Sequence, residues 1–309
     1  MMRNFIGVLT ALSCASFVFA DAKETYLLVS SYWSNNVARF NAFTGAPMGD
    51  LVSSGSGGLG LAEGLLAGPN NVLLVSSVED DAIKRYDIHT GAFLGNLTVG
   101  LPLQDPRGLA WGPDGKLYVA SDATHEILRY DPMTGDFLGA FVPAKTAGME
   151  NPWDLVFRGP YMYVSNHGTD TVLRFDAATG AFVGTFASHA DMGNPNGMAF
   201  GPDGNFYVVS GTTDTVLRFD AQTGAFLDTF VSSRSGGLVE ACDLLFGPDG
   251  DLFVSGYASG AVYEYNGVTG DFEGVFATDP AATFLLVVPE PASLSLLVLG
   301  GLGLIRRRR

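Results

Sequence analysis

The sequence predicts an all-β fold, a six-bladed β-propeller built from four-stranded blades. A Thr-Gly pair recurs six times along the chain, and successive glycines of the pair lie 44 to 46 positions apart. These glycines are Gly45, Gly91, Gly135, Gly180, Gly224 and Gly270. The intervals contain short apolar runs separated by turn residues, without helical periodicity. A fixed period of this length, with four strand-like segments in each unit, is typical of one propeller blade per repeat.

The clearest repeat is Arg107–Val142, where alternation and turn chemistry locate the strands. Its four segments are Gly108–Gly112, Lys116–Ser121, Glu126–Asp131 and Asp136–Val142. A Gly-Pro-Asp-Gly sequence separates the first two, because proline restricts φ and glycine tolerates positive φ in a tight turn. An Asp-x-x-Thr-Gly sequence separates the last two, and its aspartate can cap the backbone amides of the turn. The unit therefore predicts one antiparallel blade.

The first blade lacks an inner strand at its expected place in the sequence. Inner strands are predicted to begin at Glu63, Arg107, Trp153, Asn196 and Cys242. The first repeat instead starts on its second strand, at Tyr26. The remaining strand-like run is Thr283–Val288. We therefore expect this run to pair with Tyr26–Ser30 and to close the ring, which removes two open sheet edges.

The two ends of the chain differ from the repeats and divide the sequence into three parts. Residues 1–20 contain one basic residue, Arg3, followed by an apolar run and the small residue Ala20, which predicts a secretory signal peptide. Residues 21–288 contain the six repeats and are predicted to form one domain. Residues 289–309 form a separate C-terminal segment. Its apolar run, 292–305, is shorter than the roughly 20 residues of a permanent membrane helix, which suits transient insertion.

The C-terminal segment resembles a known bacterial sorting signal. It contains a Pro-Glu-Pro motif, a short apolar run and a terminal basic cluster, formed by Pro289, Glu290, Pro291, Arg306, Arg307, Arg308 and Arg309. This order is similar to the PEP-CTERM signal of bacteria that produce exopolysaccharide. The resemblance implies processing by an exosortase-type membrane protease, transient anchoring in the inner membrane, and delivery to the cell surface or the extracellular matrix. An ordinary C-terminal anchor would use the same residues.

Charge and cysteine content exclude other classes of function. The chain carries 32 acidic and 17 basic residues, a formal net charge of −15, and five of the basic residues lie in the two terminal segments. An acidic surface repels nucleic acid, so we expect no nucleic-acid partner. Of the two cysteines, Cys14 lies in the predicted signal peptide. Cys242 is then left without an intramolecular disulfide partner.

Candidate binding residues lie at the starts of the inner strands and in the loops beside them. In a propeller these positions surround one mouth of the central channel. The candidate set is Glu63, Arg107, Trp153, Asp154, Asn196 and His167. Residue types differ among equivalent positions of units that otherwise repeat closely, which is a pattern expected of a binding site and also of unselected drift. As a loop residue, His167 is expected to be largely solvated.

The repeat pattern Gly-(Leu/Met)-Ala-(Trp/Phe)-Gly-Pro-Asp-Gly resembles NHL-type and virginiamycin B lyase-like propellers. Such repeats occur in enzymes and in binding modules. A gluconolactonase-like enzyme would hold a divalent cation with acidic and amide side chains, here Glu63, Asn196 and Asp243. Asp243 lies one residue out of register, because Cys242 occupies the equivalent position, and such a slip turns a side chain to the other face of a strand. A lyase of the virginiamycin type would need paired His and Glu residues.

The sequence therefore favours a non-catalytic binding propeller, exported and sorted to the surface or matrix. The expected partner is an extracellular polysaccharide or another surface protein. No cofactor is required by this interpretation, and calcium is the cation that the metal hypothesis would add. The alternative is a metal-dependent lactonase or a lyase-like enzyme. One further position of the repeat is expected to be structural. It holds Arg39, Arg85, Arg129, Arg174 and Arg218 in five units and Glu264 in the last.

Overall fold

The computed structural model describes residues 25–289, which form six four-stranded antiparallel sheets arranged as a β-propeller. The predicted fold is confirmed. The signal peptide predicted at residues 1–20 and the sorting segment beyond Pro289 lie outside the described residues. Across residues 25–289 no helix is long and apolar enough to cross a membrane.

The strands follow the repeat along the chain. Strands β1 to β12 are Thr25–Ser31, Asn36–Asn41, Pro47–Val52, Ala62–Ala67, Val72–Ser77, Ala82–Asp87, Phe93–Val99, Pro106–Trp111, Leu117–Ser121, Glu126–Tyr130, Phe137–Val142 and Pro152–Arg158. Strands β13 to β24 are Tyr161–Asn166, Thr171–Asp176, Phe182–Ala187, Pro195–Phe200, Phe206–Ser210, Thr215–Phe219, Phe226–Val231, Ala241–Phe246, Leu252–Gly256, Ala261–Tyr265, Phe272–Thr278 and Ala282–Pro289. Short 3₁₀ turns occur at Ser56–Gly58, Pro69–Asn71, Thr146–Gly148, His167–Thr169 and Ser235–Gly237.

The first blade is completed by the last strand, as the sequence predicts. Its strand order is β24-β1-β2-β3, whereas blades 2 to 6 each use four consecutive strands, β4–β7 through β20–β23. Strand β24 pairs antiparallel with β1, with Tyr26 opposite Val288 and Thr25 opposite Pro289. The strand thus extends through the first proline of the Pro-Glu-Pro motif. Ring closure consequently joins the two ends of the described chain.

The hydrophobic core consists of clusters between neighbouring blades. In residues 25–289 each of the six junctions has its own cluster of buried side chains. At the closing junction Leu27 and Phe40 of blade 1 pack with Phe253 and Val262 of blade 6. Each fully buried aliphatic or aromatic side chain contributes about 1.5–3 kcal/mol relative to an exposed one. The ring is therefore stabilised by apolar contacts all the way round, with no disulfide, since Cys242 is a free thiol.

The repeated arginines of blades 1, 3, 4 and 5 make structural contacts, as expected. The guanidinium groups of Arg39, Arg174 and Arg218 lie over the rings of Tyr26, Tyr161 and Phe230, at 5.1, 4.7 and 4.9 Å from the ring centroids. Arg218 also forms ion pairs with Asp203 and Asp228. Such cation–π contacts at partly exposed sites contribute about 0.5–1 kcal/mol each.

Candidate ligand-binding cavity

Six equivalent residues surround the mouth of the central channel. The second residue of each inner strand lines one cavity of about 690 Å³. These residues are Glu63, Arg107, Trp153, Asn196, Cys242 and Thr283. Because every inner strand enters the sheet from the same side, one register position on each strand forms a ring. Four of the six sequence candidates, Glu63, Arg107, Trp153 and Asn196, therefore lie on this ring, and a fifth, His167, lines the same cavity.

The loops around the cavity are held by a repeated capping contact. In blades 1 to 5 a residue with φ near +50 to +60° follows the second strand, at Asn35, Asp81, His125, Asp170 and Asp214. Its side chain accepts a hydrogen bond from a backbone N–H just before the next inner strand, at 2.6 to 2.9 Å. For example, His125 Nδ1 accepts from the N–H of Asn151. Five inner strands, β4, β8, β12, β16 and β20, are thus positioned by the preceding blade.

Arg107 forms ion pairs with two carboxylates at the cavity wall. Its Nη1 donates to Glu63 Oε1 at 2.8 Å and its Nε to Asp122 Oδ2 at 3.4 Å. Glu63 is 1 % exposed, and its second oxygen, Oε2, is without a hydrogen-bond partner. Burial raises the pKa of Glu63 to about 7, although the neighbouring Arg107 acts to lower it. The protonation state of the cavity wall therefore changes near neutral pH.

The expectation of a solvated His167 is wrong. Its imidazole stacks on Trp153, with ring centroids 4.9 Å apart and planes within 12°. Its Nε2 lies 2.7 Å from Asn196 Oδ1, and Asn196 Nδ2 donates to the carbonyl oxygen of Ala241 at 2.7 Å. Burial lowers the pKa of His167, which favours the neutral imidazole. A network across blades 4, 5 and 6 therefore fixes the orientation of this part of the cavity wall.

Aromatic side chains form another part of the rim. Tyr32 contacts Trp33 and Tyr257 edge to face, at centroid distances of 5.0 and 5.8 Å. All three line the cavity, and the indole of Trp33 is 66 % exposed. An exposed tryptophan at the opening of a cavity offers an apolar face to a ligand.

Charged loop residues that the sequence analysis missed complete the lining. Asp214, Arg234 and Glu240 lie at the cavity, and Arg234 Nε is 3.3 Å from Asp214 Oδ2. Asp214 also accepts from the N–H of Glu240 at 2.6 Å. The repeated polar residue at the end of the second-to-third-strand loop was the available sequence signal. The thiol of Cys242 is buried and its pKa is raised by burial, so it is an unreactive part of the wall.

Asp154 and Asp243 do not line this cavity, and both bind backbone amides instead. Asp154 Oδ1 accepts from the N–H of Leu155 and Oδ2 from that of Met198 in the next blade. Asp243 Oδ2 accepts from the N–H of Leu285 at 2.9 Å. Burial raises the pKa of both carboxyls, and their mutual repulsion adds to the shift at Asp154. Their polar contacts hold neighbouring blades together.

The three residues of the metal hypothesis each have other contacts. Glu63 pairs with Arg107, Asn196 with His167, and Asp243 with the Leu285 amide. Among residues 25–289, carboxylate oxygens do approach within 4.8 Å of one another at Asp249, Asp251 and Glu264. That cluster is near the Gly-Pro-Asp-Gly turn on the opposite face, where Glu264 replaces the arginine of the other five blades.

Comparisons with known proteins support the fold and the sorting segment. Residues 287–309 match the family model of the PEP-CTERM protein-sorting motif. A chain of a nidogen/laminin complex is similar in structure, with a TM-score of 0.68 and 14 % identity over 85 % of this chain and 98 % of the other. A Bacteroides caccae protein of unknown function has a TM-score of 0.67 and 16 % identity over 86 % and 100 %. No curated protein sequence matches the chain.

The fold and the match define a class of protein. It is a six-bladed β-propeller with a cavity at one channel mouth and a C-terminal PEP-CTERM sorting motif. The motif indicates export and membrane-associated sorting toward the cell surface, with processing by exosortase-type machinery. The motif begins at residue 287, inside β24, so the closing strand and the sorting signal overlap.

Proposed function

We propose that this propeller is a non-catalytic binding module of the cell surface or extracellular matrix, and that it binds a segment of extracellular polysaccharide in the channel-mouth cavity. The sorting motif supports the location, because it directs the chain toward the surface. The cavity supports the binding role, because about 690 Å³ is within the range of small-molecule sites. A concave site of this size suits part of a chain-like ligand better than the flat face of a protein.

The observation that carries the proposal is the chemistry of the ring. Six equivalent positions in closely similar repeats hold six different residue types, and all six line the same cavity. A sugar ring has apolar C–H faces and a hydroxyl edge. The exposed face of Trp33 and the polar side chains of Glu63, Asn196 and Thr283 match these two features. The lining therefore combines an aromatic rim with a polar wall.

Hydrogen-bonding groups in the wall are fixed before a ligand arrives. Glu63 is held by Arg107, and Asn196 is held by His167 and the Ala241 carbonyl. Two side-chain atoms of the wall, Glu63 Oε2 and Trp153 Nε1, have no hydrogen-bond partner and are buried. At the rim, the exposed side chains of Arg234 and Glu240 can donate to and accept from ligand hydroxyl groups. Prearranged groups reduce the ordering cost of binding, which favours recognition of hydroxyl-rich ligands.

The arrangement favours binding over the metal-dependent lactonase alternative. A cation near Glu63 would lie close to the positive guanidinium of Arg107, 2.8 Å from the carboxylate. The Asn196 oxygen is hydrogen-bonded to His167 at 2.7 Å, and Asp243 Oδ2 accepts a hydrogen bond from the backbone N–H of Leu285. A calcium site needs six to eight oxygen ligands, so these contacts would all have to be broken.

A combined binding and turnover assay tests the proposal. Purified residues 21–289 would be analysed for bound metal, then screened against bacterial exopolysaccharide fragments and against a panel of lactones. We expect saccharide binding, no lactone hydrolysis and no dependence on added calcium. Glu63→Gln and Asn196→Ala should alter saccharide binding only. Lactone hydrolysis that is lost in these two variants would contradict the proposal and support the enzyme.

Sorting is the second part of the proposal. We infer that an exosortase-type protease cleaves near Pro289-Glu290-Pro291 while the apolar run 292–305 is transiently inserted in the inner membrane. Prolines lack an amide donor and fix φ, so we expect regular structure not to continue past the end of β24 at Pro289, which would leave the following peptide open to a protease. The four arginines would keep the end of the segment on the cytoplasmic side.

A further inference from the structure

The chain leaves the propeller on the face opposite the cavity. Thr283, near the start of β24, lines the cavity, whereas Pro289 ends the strand. Six steps of extended chain lead from one to the other, which corresponds to about 20 Å. Pro289 pairs with Thr25, whose carbonyl oxygen accepts from the N–H of Ala42 at 2.9 Å. The exit point is therefore beside the Asn41–Gly45 turn of blade 1.

The turns of this face expose apolar side chains near the exit. The third position of the Asp/Asn-x-x-Thr-Gly turn is Phe43 in blade 1 and Val268 in the neighbouring blade 6, with exposures of 41 % and 81 %. Met133 occupies the same position in blade 3 and is 62 % exposed. The turns beneath these tips are rigid, because the Asn41 and Asn266 side-chain oxygens each accept backbone N–H groups.

The distance between the end of β24 and the start of the apolar run is short. Only Glu290 and Pro291 separate Pro289 from the start of the run at Ala292. Three extended peptide steps reach about 10 Å at most. A propeller whose apolar run is inserted therefore cannot move far from the headgroup layer. The face that is held nearest to the bilayer is the one that carries Phe43 and Val268.

We propose that this face, which we call the tail face and define by Phe43, Met133 and Val268, rests on the membrane interface while the C-terminal run is inserted, and that the cavity then opens away from the bilayer. The partner is a lipid surface, and the contact depends on the inserted run because the protein is strongly acidic. The apolar tips contact the interface, and the carboxylates of the same face, including Asp249, Asp251 and Glu264, remain in the hydrated headgroup layer. This orientation leaves the cavity free for ligand during sorting, and it rests on the sorting function proposed above.

Depth-dependent quenching tests the orientation. Residues 21–309, purified from a host without exosortase, would be reconstituted into phosphatidylcholine vesicles that contain nitroxide-labelled lipid. An environment-sensitive fluorophore would be attached at Val268→Cys on the tail face or at Thr212→Cys on the exposed cavity rim. We expect severalfold stronger quenching at position 268 than at 212. Inserting about ten Gly/Ser residues between Pro291 and Ala292, with a reach of about 30 Å, should reduce the difference.

Two kinds of result would overturn the proposed orientation. Equal quenching at the two positions, or stronger quenching at 212, would overturn the orientation. Failure of the full chain to float with the vesicles would show that the run does not insert, and would also overturn it. Saccharide binding by residues 21–289 is measured without vesicles, so a failure of the binding proposal would be seen separately.

Discussion

Asp243 of blade 6 accepts a hydrogen bond from the backbone N–H of Leu285 in β24, at 2.9 Å, and thereby ties the C-terminal strand to the blade beside it. On the other side, β24 pairs with β1, and the Thr283 hydroxyl lies 2.9 Å from that of Ser30 and 3.2 Å from the carbonyl oxygen of Ala62 in blade 2. The last strand therefore contacts blades 1, 2 and 6 at once.

Removal of β24 should destabilise the whole ring. A chain ending at Pro289 should melt at the same temperature as one ending at Arg309, because the deleted residues follow the last strand. A chain ending at Ala282 should melt many degrees lower, since it loses the buried side chains of Phe284, Leu285 and Val288 and leaves β1 and blade 6 exposed. Circular dichroism melts of the three chains measure this. Equal melting temperatures for the two truncations would contradict the role of β24 in closure.

Stability should fall as the pH rises toward neutrality. Burial raises the pKa of Glu63, Asp154 and Asp243 in the folded protein above their ordinary values of 4.5 and 3.8. The folded state therefore holds these protons more tightly than the unfolded chain, so this contribution is fully present below pH 4 and is lost as the pH rises through about 7. Melting temperatures measured between about pH 5 and pH 8 should decrease.

A matched variant distinguishes this cause from general charge repulsion. Asp243→Asn retains an oxygen that can accept the Leu285 amide but cannot ionise. It should show a shallower decrease of melting temperature with pH than the wild-type protein. Wild-type stability that stays constant or increases over the same range would show that these carboxyls ionise in the folded state without a loss of stability.

Glu264 of blade 6 occupies the position that holds arginine in the other five blades, so its replacement by arginine tests whether that position stabilises a blade. Burial and the neighbouring Asp249 and Asp251 raise its pKa, whereas the equivalent Arg129 and Arg218 form ion pairs with the turn aspartates Asp114 and Asp203. Glu264→Arg should therefore stabilise blade 6 by at most about 1 kcal/mol, or a few degrees in melting temperature. Glu264→Gln is the control and should give a smaller gain. A lower melting temperature for the arginine variant, measured without divalent cations, would contradict this explanation.

The fold was largely predictable because each repeat of the sequence specifies one blade. Strand order, turn chemistry and closure by the last strand follow from spacing alone, and the ring from Glu63 to Thr283 follows from counting one position per repeat. The third residue of the inner strands also carried information about packing between blades. It is glycine in blades 3 and 5, at Gly108 and Gly197, and aspartate in the blades that follow them, at Asp154 and Asp243. A Cβ atom at either glycine would come within 2.6 or 2.1 Å of the aspartate Oδ1 of the next blade.

The contacts between loops of different blades could not be predicted. His167 is near Asn196 only after blades 4 and 5 are packed side by side, and the Tyr32–Tyr257 contact requires the ring to be closed. Such pairs are set by tertiary packing, and single-sequence patterns report local periodicity. Strand register alone was enough to place Cys242, rather than Asp243, at the cavity.

Cleavage of the sorting segment is expected in a host with exosortase. The surface-released protein should lack Arg306–Arg309, because the motif at 287–309 directs processing. Replacing Pro289, Glu290 and Pro291 together by alanine should leave the protein membrane-bound at full length. Mass spectrometry of the released and membrane fractions measures both outcomes. A released wild-type protein that still ends at Arg309 would mean that the segment is not processed in this way.

Saccharide titration of paired surface variants tests the binding function most directly. Isothermal titration with exopolysaccharide fragments would compare wild-type protein with Trp33→Ala at the cavity rim and Val268→Ala on the tail face, two exposed apolar residues whose removal should leave the fold intact. We predict that Trp33→Ala weakens binding by about tenfold, the loss expected for an aromatic contact of roughly 1.4 kcal/mol, and that Val268→Ala binds like wild type. Equal affinity of all three proteins, or loss only in Val268→Ala, would contradict a binding site in the cavity.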